Sequence, residues 1–455
     1  MTKRGEISHT HNGSVVRHVR VTTPIKSRVA VVNRRKPKPK TNRLSKNLDQ
    51  TAWVVANRTI NASTVAGKRV LIRCDYNVPI KNGTITDDTR IVASLETLRF
   101  CIDNGAKQLI LVSHLGRPKE KNKEDSLAPV ATRLSQSLGQ SVVLAPSCLY
   151  SEFMSTMPPS QRTNKIVLLE NVRFHSQEEK NDSEFARQMA QFADVYVNDA
   201  FGTAHRGHAS NSAITAFLPS YIGLLMRVEL AKLGLVTHNP KRPLIVLLGF
   251  AKISDKLETL IHLLQHADTV LLGGAVAFTF LAAQRKEIGK SKVEADKISL
   301  AADLLRKFGR KIVLPLDVVC ATDLESAARH TFDVDHIPAD MAGFDIGPKT
   351  IELFGRYLEG AKTVFWNGPM GVFEHPPYDK GTNDLALWLA EVTKENGVIS
   401  IIGGGDTASA AAHAKVANLL THVSTGGGAS LEFMEGKTLP AIKAIYSSIV
   451  SKKKK

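Results

Sequence analysis

The sequence predicts an α/β fold with two doubly wound parallel sheets. Three observations carry that expectation. From Lys68 onward short β-branched or Leu-rich runs alternate with longer segments of helical spacing, which is the grammar of parallel strands joined by crossover helices. The runs fall into two series, each large enough for a sheet of its own. A length of 455 residues with 43% hydrophobic and 6% aromatic content leaves room for two ordinary α/β cores.

In chain order, the first series places strands at 69–75, 108–113, 141–144, 166–170 and 195–198, because each is a short apolar run that ends in polar or turn residues. Helical spacing places helices at 91–104, 127–138 and 183–193 between them. A helix-like stretch then runs to Asn239-Pro240, where proline disfavours continuation, so a domain boundary is expected within 224–240. The second series places strands at 243–248, 269–272, 311–316, 363–366, 397–402 and 422–423.

Charge and cysteine content narrow the function classes. The formal charge is +17, but residues 1–46 carry 13 Lys or Arg against the single acid Glu6, and Lys452–Lys455 adds four cations. The body between them holds 43 cations and 42 acids, so the basicity belongs to the tails. Residues 1 to about 50 lack apolar periodicity and include Arg34-Arg35-Lys36-Pro37-Lys38-Pro39-Lys40, whose prolines oppose helix and sheet alike. This segment is read as disordered, and as a transit sequence, a nucleic-acid-binding arm or a solvated extension. Cys74, Cys101, Cys148 and Cys320 are far apart and form no C-x-x-C pair, which argues for a reducing compartment and against zinc or a disulfide framework. That favours the cytoplasm, with an organelle as the alternative through the basic extension. Apolar runs fall well short of the ~18 residues needed to cross a bilayer.

Polar motifs stand where the strands end, the place where open parallel sheets collect ligands. The first series offers Asp75-Tyr76-Asn77-Val78-Pro79, Ser113-His114-Leu115-Gly116-Arg117-Pro118, Glu170-Asn171-Val172-Arg173-Phe174 and Asn198 through Arg206. With Arg90 these bring four arginines and a histidine to one edge, a set suited to a multiply charged anion because guanidinium forks match phosphate and carboxylate oxygens in pairs. His205 and His208 have H-x-x-H spacing, but no carboxylate or Cys with ligand spacing joins them.

The second series points to nucleotide phosphate. Ile401-Ile402-Gly403-Gly404-Gly405-Asp406-Thr407 runs from strand through glycines into a helix, and Ser424-Thr425-Gly426-Gly427-Gly428-Ala429-Ser430 repeats the device one strand later. Glycines admit close approach, and the first amides of a helix attract phosphate oxygens. No Walker A motif occurs, and no G-x-G-x-x-G follows the first strand, so P-loop and dehydrogenase readings lose ground. Lys252 and Lys256 stand i to i+4 at an expected helix start and would share a face.

Taken together, these motifs resemble those of the phosphoglycerate kinase family, in order, from about Lys68 to the region of Pro440. The resemblance implies two Rossmann-like domains joined by a hinge: residues 51–230 for phosphoglycerate, 231–437 for Mg-nucleotide, and 438–455 returning to the first domain with a Lys-rich end. It implies reversible phosphoryl transfer from 1,3-bisphosphoglycerate to ADP, giving 3-phosphoglycerate and ATP, in a monomer with Mg²⁺ as cofactor. Asp75, Asn77, Arg90, His114, Arg117, Arg173 and Arg206 would hold the phosphoglycerate. Lys252 would meet the phosphoryl group in flight with Arg90 and Gly426, Gly427 and Gly428, and Lys256 the nucleotide phosphates. Asp406 would hold the metal and Glu374 the ribose. Asn367 and Thr407 would lie along the phosphates, Gly249, Gly273 and Gly274 by the nucleotide, and Gly403, Gly404 and Gly405 at the helix start beside it.

One residue departs from the family wording. Gly249-Phe250-Ala251-Lys252 puts a large ring where the family has glycine, so Phe250 is expected to stack on the base or narrow its pocket. A binding protein that kept the fold and uses its basic tails on nucleic acid is the competing reading.

Overall fold

The computed structural model describes residues 43–452, and there the apolar runs of the first series pair as a six-stranded parallel sheet. Its strands are β1 (Arg69–Arg73), β2 (Gln108–Val112), β3 (Val142–Ala145), β4 (Ile166–Leu169), β5 (Val195–Asn198) and β6 (Ser220–Ile222), in the spatial order β3-β4-β2-β1-β5-β6. Strand β1 is the pivot, with Val70 opposite Leu109 on one side and Val195 on the other. Most of these strand residues are buried, because helices cover both faces.

The second sheet repeats the plan with β7 (Leu244–Gly249), β8 (Thr269–Gly273), β9 (Ile312–Val313), β10 (Thr363–Asn367), β11 (Ile399–Gly403) and β12 (His422–Val423), ordered β9-β8-β7-β10-β11-β12. Connections from β7 run outward one way and those from β10 the other, so the crevice between their carboxyl ends is a topological switch point. The pair β1 and β5 forms the matching switch point in the first sheet.

Several elements differ from the sequence expectation. The strand expected at 311–316 closes after Val313, since Pro315 has no amide to offer a ladder. The chain instead builds a three-stranded antiparallel sheet from Asp317–Ala321, His330–Asp333 and Ala342–Ile346. Strand β6, absent from the expectation, adds to the edge of the first sheet by pairing with β5. An α-helix, Arg43–Arg58, occupies the end of the stretch read as disordered. Its support is remote: Val54 is fully buried, and Trp53 meets the Tyr446 ring edge-on at 5.4 Å on the C-terminal helix Pro440–Lys452. The readings placed on residues 1–42 lie outside the described residues, as does the end of the Lys-rich tail.

The helix Leu224–Thr237 runs between the two sheets, and its Met226, Leu230 and Leu233 share one buried cluster with Phe201 and Ile222 before it and Leu244 and Val246 after it. Among the described residues no helix is long and apolar enough to cross a membrane.

Candidate active site

At the first switch point, the turn after β1 and the helix Thr89–Asp103 converge. Arg90 Nη1 donates to Asp75 Oδ1 at 3.2 Å and to the Asn77 carbonyl at 3.0 Å. Asn77 Oδ1 in turn accepts from the Gly116 amide at 2.8 Å, and Arg173 Nη1 donates to the Gly116 carbonyl at 2.5 Å, so three strand ends are tied into one surface. His114 Nδ1 lies 3.9 Å from Asp75 Oδ1. Burial holds the His114 pKa well below the usual histidine range, and the cations of Arg73, Arg173, Arg206 and Arg90 push it the same way. The imidazole is therefore neutral at pH 7 and takes part as a hydrogen-bonding group.

Asp75, Asn77, Arg90, His114, His205 and Arg206 line a cavity of about 180 Å³ whose remaining wall includes Gly426, Gly427 and Gly428 from the other sheet. Arg117 and Arg173 line a neighbouring depression of about 440 Å³. Arg173 and Arg206 are both shifted below the ordinary guanidinium range, by burial first and then, in part, by neighbouring arginines. A cluster of cations held this close is relieved by an anion.

Beneath it lies a residue that the sequence reading passed over. Arg73 closes β1 and is 1% exposed. It donates through Nη2 to His114 Nδ1 at 3.3 Å and through Nε to Ser210 Oγ at 2.8 Å, while Ser210 Oγ donates to the buried Glu178 at 2.6 Å. A charged residue ending an otherwise apolar strand was the available signal.

The second switch point forms a pocket of about 620 Å³, within the size range of small-molecule sites. Gly249, Phe250, Lys256, Gly274, Glu374 and Asp406 are on its wall. Gly249 ends β7 where the Gly368-Pro369 backbone crosses it, and a Cβ there would collide with the Pro369 carbonyl. Lys256 Nζ donates to Asn367 Oδ1 at 2.9 Å, Asn367 Nδ2 donates to the Gly403 carbonyl, and the Gly368 amide donates to Thr407 Oγ1 at 2.6 Å. Asn367 and Thr407 are buried and fasten the loops, whereas Asp406 and Glu374 are exposed. Gly273 packs behind, against Met370.

Three strand ends share one device. After β8, β11 and β12 the chain passes through Gly274, Gly404 and Gly427, with φ of +62°, +96° and +49°, directly into helices Ala275–Ala283, Gly405–His413 and Gly428–Met434. Glycine alone adopts these angles without strain. The lysine pair is arranged otherwise than expected: the α-helix starts only at Leu257, Lys256 closes a 3₁₀ turn, and Lys252 stands exposed before that turn, lining neither cavity.

Residues 60–437 match the family model of phosphoglycerate kinase. The chain belongs to the phosphoglycerate kinase family. It is 50% identical over 402 residues to the phosphoglycerate kinase of Thermosipho africanus, covering 87% of this chain and 98% of that one. It is 50% identical over 396 residues to that of Pelotomaculum thermopropionicum, covering 86% and 99%. The solved structure of phosphoglycerate kinase from Coxiella burnetii superposes with a TM-score of 0.76 at 38% identity, covering 86% of this chain and 98% of that chain. As a member of the phosphoglycerate kinase family, the chain is a phosphotransferase with a carboxyl acceptor and ATP or ADP as co-substrate.

Proposed function

We propose that residues 51–230 present 3-phosphoglycerate and residues 231–437 present Mg-nucleotide, with transfer taking place between the two switch points. The observation that carries this division is the small cavity, where the arginine-rich surface of the first sheet faces Gly426, Gly427 and Gly428 of the second. Strands β11 and β12 are paired neighbours. The loop after one leads to Asp406 in the large pocket and the loop after the other reaches the small cavity. An anion held by Arg90 and Arg206 would thus lie on the side toward which the nucleotide phosphates extend.

The substrate carboxylate is ionised at pH 7, so its oxygen attacks the γ-phosphorus without a general base as the bond to the bridging oxygen of ADP breaks. The task left to the protein is alignment and neutralisation. Arg90 and Lys252 supply cations, and the amides around Gly426 to Gly428 supply donors to the equatorial oxygens. Asp75 and Asn77 orient Arg90, and neutral His114 adds a hydrogen bond without adding charge.

Asp406 suits a nucleotide-borne magnesium ion. It is a single exposed carboxylate in the first turn of its helix, and Mg²⁺ is commonly held by one or two carboxylates together with substrate phosphates and water. Bound there, the ion supplies neutralisation of phosphate charge. Glu374, on the wall of the same pocket, would take the ribose. The two cavities share no lining residue, and Lys252 lines neither, so we infer that the sheets close on each other during turnover and expel water from the gap. A coupled assay tests the reading: purified chain should form ADP from ATP only when 3-phosphoglycerate is added, and lack of that dependence overturns it.

A further inference from the structure

Phe250 departs from the glycine-rich wording around it, and its ring is held from two sides. On one side it packs into the core with Leu248, Ile253, Val276 and Phe280, leaving the residue 8% exposed. The Phe250 carbonyl accepts from the Val276 amide at 2.8 Å, which fixes the backbone that carries the ring. On the other side, Lys256 Nζ lies 5.6 Å from the ring centroid. The same ammonium donates to Asn367 Oδ1, and that amide is oriented by its own bond to the Gly403 carbonyl. The ring is therefore tied to the core and to a lysine, which limits its freedom to stack on a base.

We propose that Phe250 is a positioning residue: the negative face of its ring, together with Asn367, seats the Lys256 ammonium at the wall of the nucleotide pocket. This rests on the reading of Lys256 as a contact of the nucleotide phosphates. A lysine carries its charge on a flexible four-carbon stem, so an unseated ammonium samples many positions and must be ordered when nucleotide binds. A ring locked by core packing does that ordering beforehand, and its attraction for a cation is electrostatic, so an aliphatic side chain of similar volume cannot reproduce it. Both residues line the pocket, so the seat stands where the phosphates would arrive.

The test compares Phe250→Leu and Phe250→Tyr, each in the native chain and in Lys256→Met, by calorimetric binding of ATP and by steady-state kinetics. Phe250→Leu is expected to weaken ATP binding by about 3- to 30-fold, the range of a partly desolvated cation–ring contact. The KM for 3-phosphoglycerate should stay put, Tyr should restore binding, and Leu should add no loss once Lys256 is Met. A native-like Phe250→Leu, or an equal Leu penalty with and without Lys256, overturns the proposal and leaves the ring as pocket wall. If Lys256→Met alone binds ATP like the native chain, the underlying reading of Lys256 has failed. Should Leu lower the melting temperature, Phe250→Met carries the same comparison.

Discussion

The buried carboxylate of Glu229 grips Thr425 twice, accepting from its amide at 2.8 Å and from its hydroxyl at 2.7 Å. Glu229 is on the helix between the sheets, and Thr425 immediately precedes Gly426, so the connector holds the loop that faces the arginines. Its second oxygen lies 2.8 Å from His422 Nε2. Glu229→Gln should lower stability by about 1–3 kcal/mol, the usual cost of disturbing buried charge-assisted bonds, as read by urea unfolding. Turnover should fall while the KM for ATP holds; an unchanged kcat would detach this anchor from catalysis.

Arg90 and Lys252 are assigned to charge that gathers during transfer. Replacing either with Ala should reduce kcat by about 100- to 1000-fold, as loss of one such donor does. Because Lys252 is exposed, its variant should unfold at the native denaturant concentration. Native turnover in Lys252→Ala would remove it from the mechanism.

Asp406→Asn keeps the shape of the helix start and removes the charge. Half-maximal activity should then need about 10- to 100-fold more magnesium, the loss of one charge-assisted contact. An unaltered magnesium titration would place the ion elsewhere.

Asp345 gives a pH signature. It lines the larger pocket at 4% exposure, and its carboxyl is pushed up to about 8, chiefly by burial, against the opposing amides of Gly381 and Ile346. The folded state thus retains a proton that the unfolded chain releases near pH 4. The stability gained is complete below that value and is lost as pH rises through about 8. Asp345→Asn stays neutral throughout, so its stability relative to the native chain should climb between about pH 4 and about pH 8 and level off above that. A pH-independent difference between the two unfolding curves would show that the group does not titrate there.

The local grammar of the chain was enough to place most of the two parallel sheets and the glycine junctions at Gly404 and Gly427, since an apolar run, a strand end and a left-handed turn are each written in a few adjacent residues. The family motifs likewise point to Arg90, Arg206 and Asp406. Features that depend on distant partners were not legible. Helix Arg43–Arg58 needs Tyr446, roughly 390 residues on, and β6 needs the free edge of β5. The antiparallel sheet that supplies Asp345 to the pocket pairs three short runs with no strong period of their own.

The same distinction separates residue identity from residue role. The sequence by itself determined which cations and glycines stand at strand ends, because chain order and strand polarity bring those ends to one side. Tertiary structure alone decided that Arg73 lies buried against Ser210, that Glu229 reaches Thr425, and that the Phe250 ring meets Lys256. Those are contacts between elements whose distance is set by packing, and no spacing along the chain encodes them.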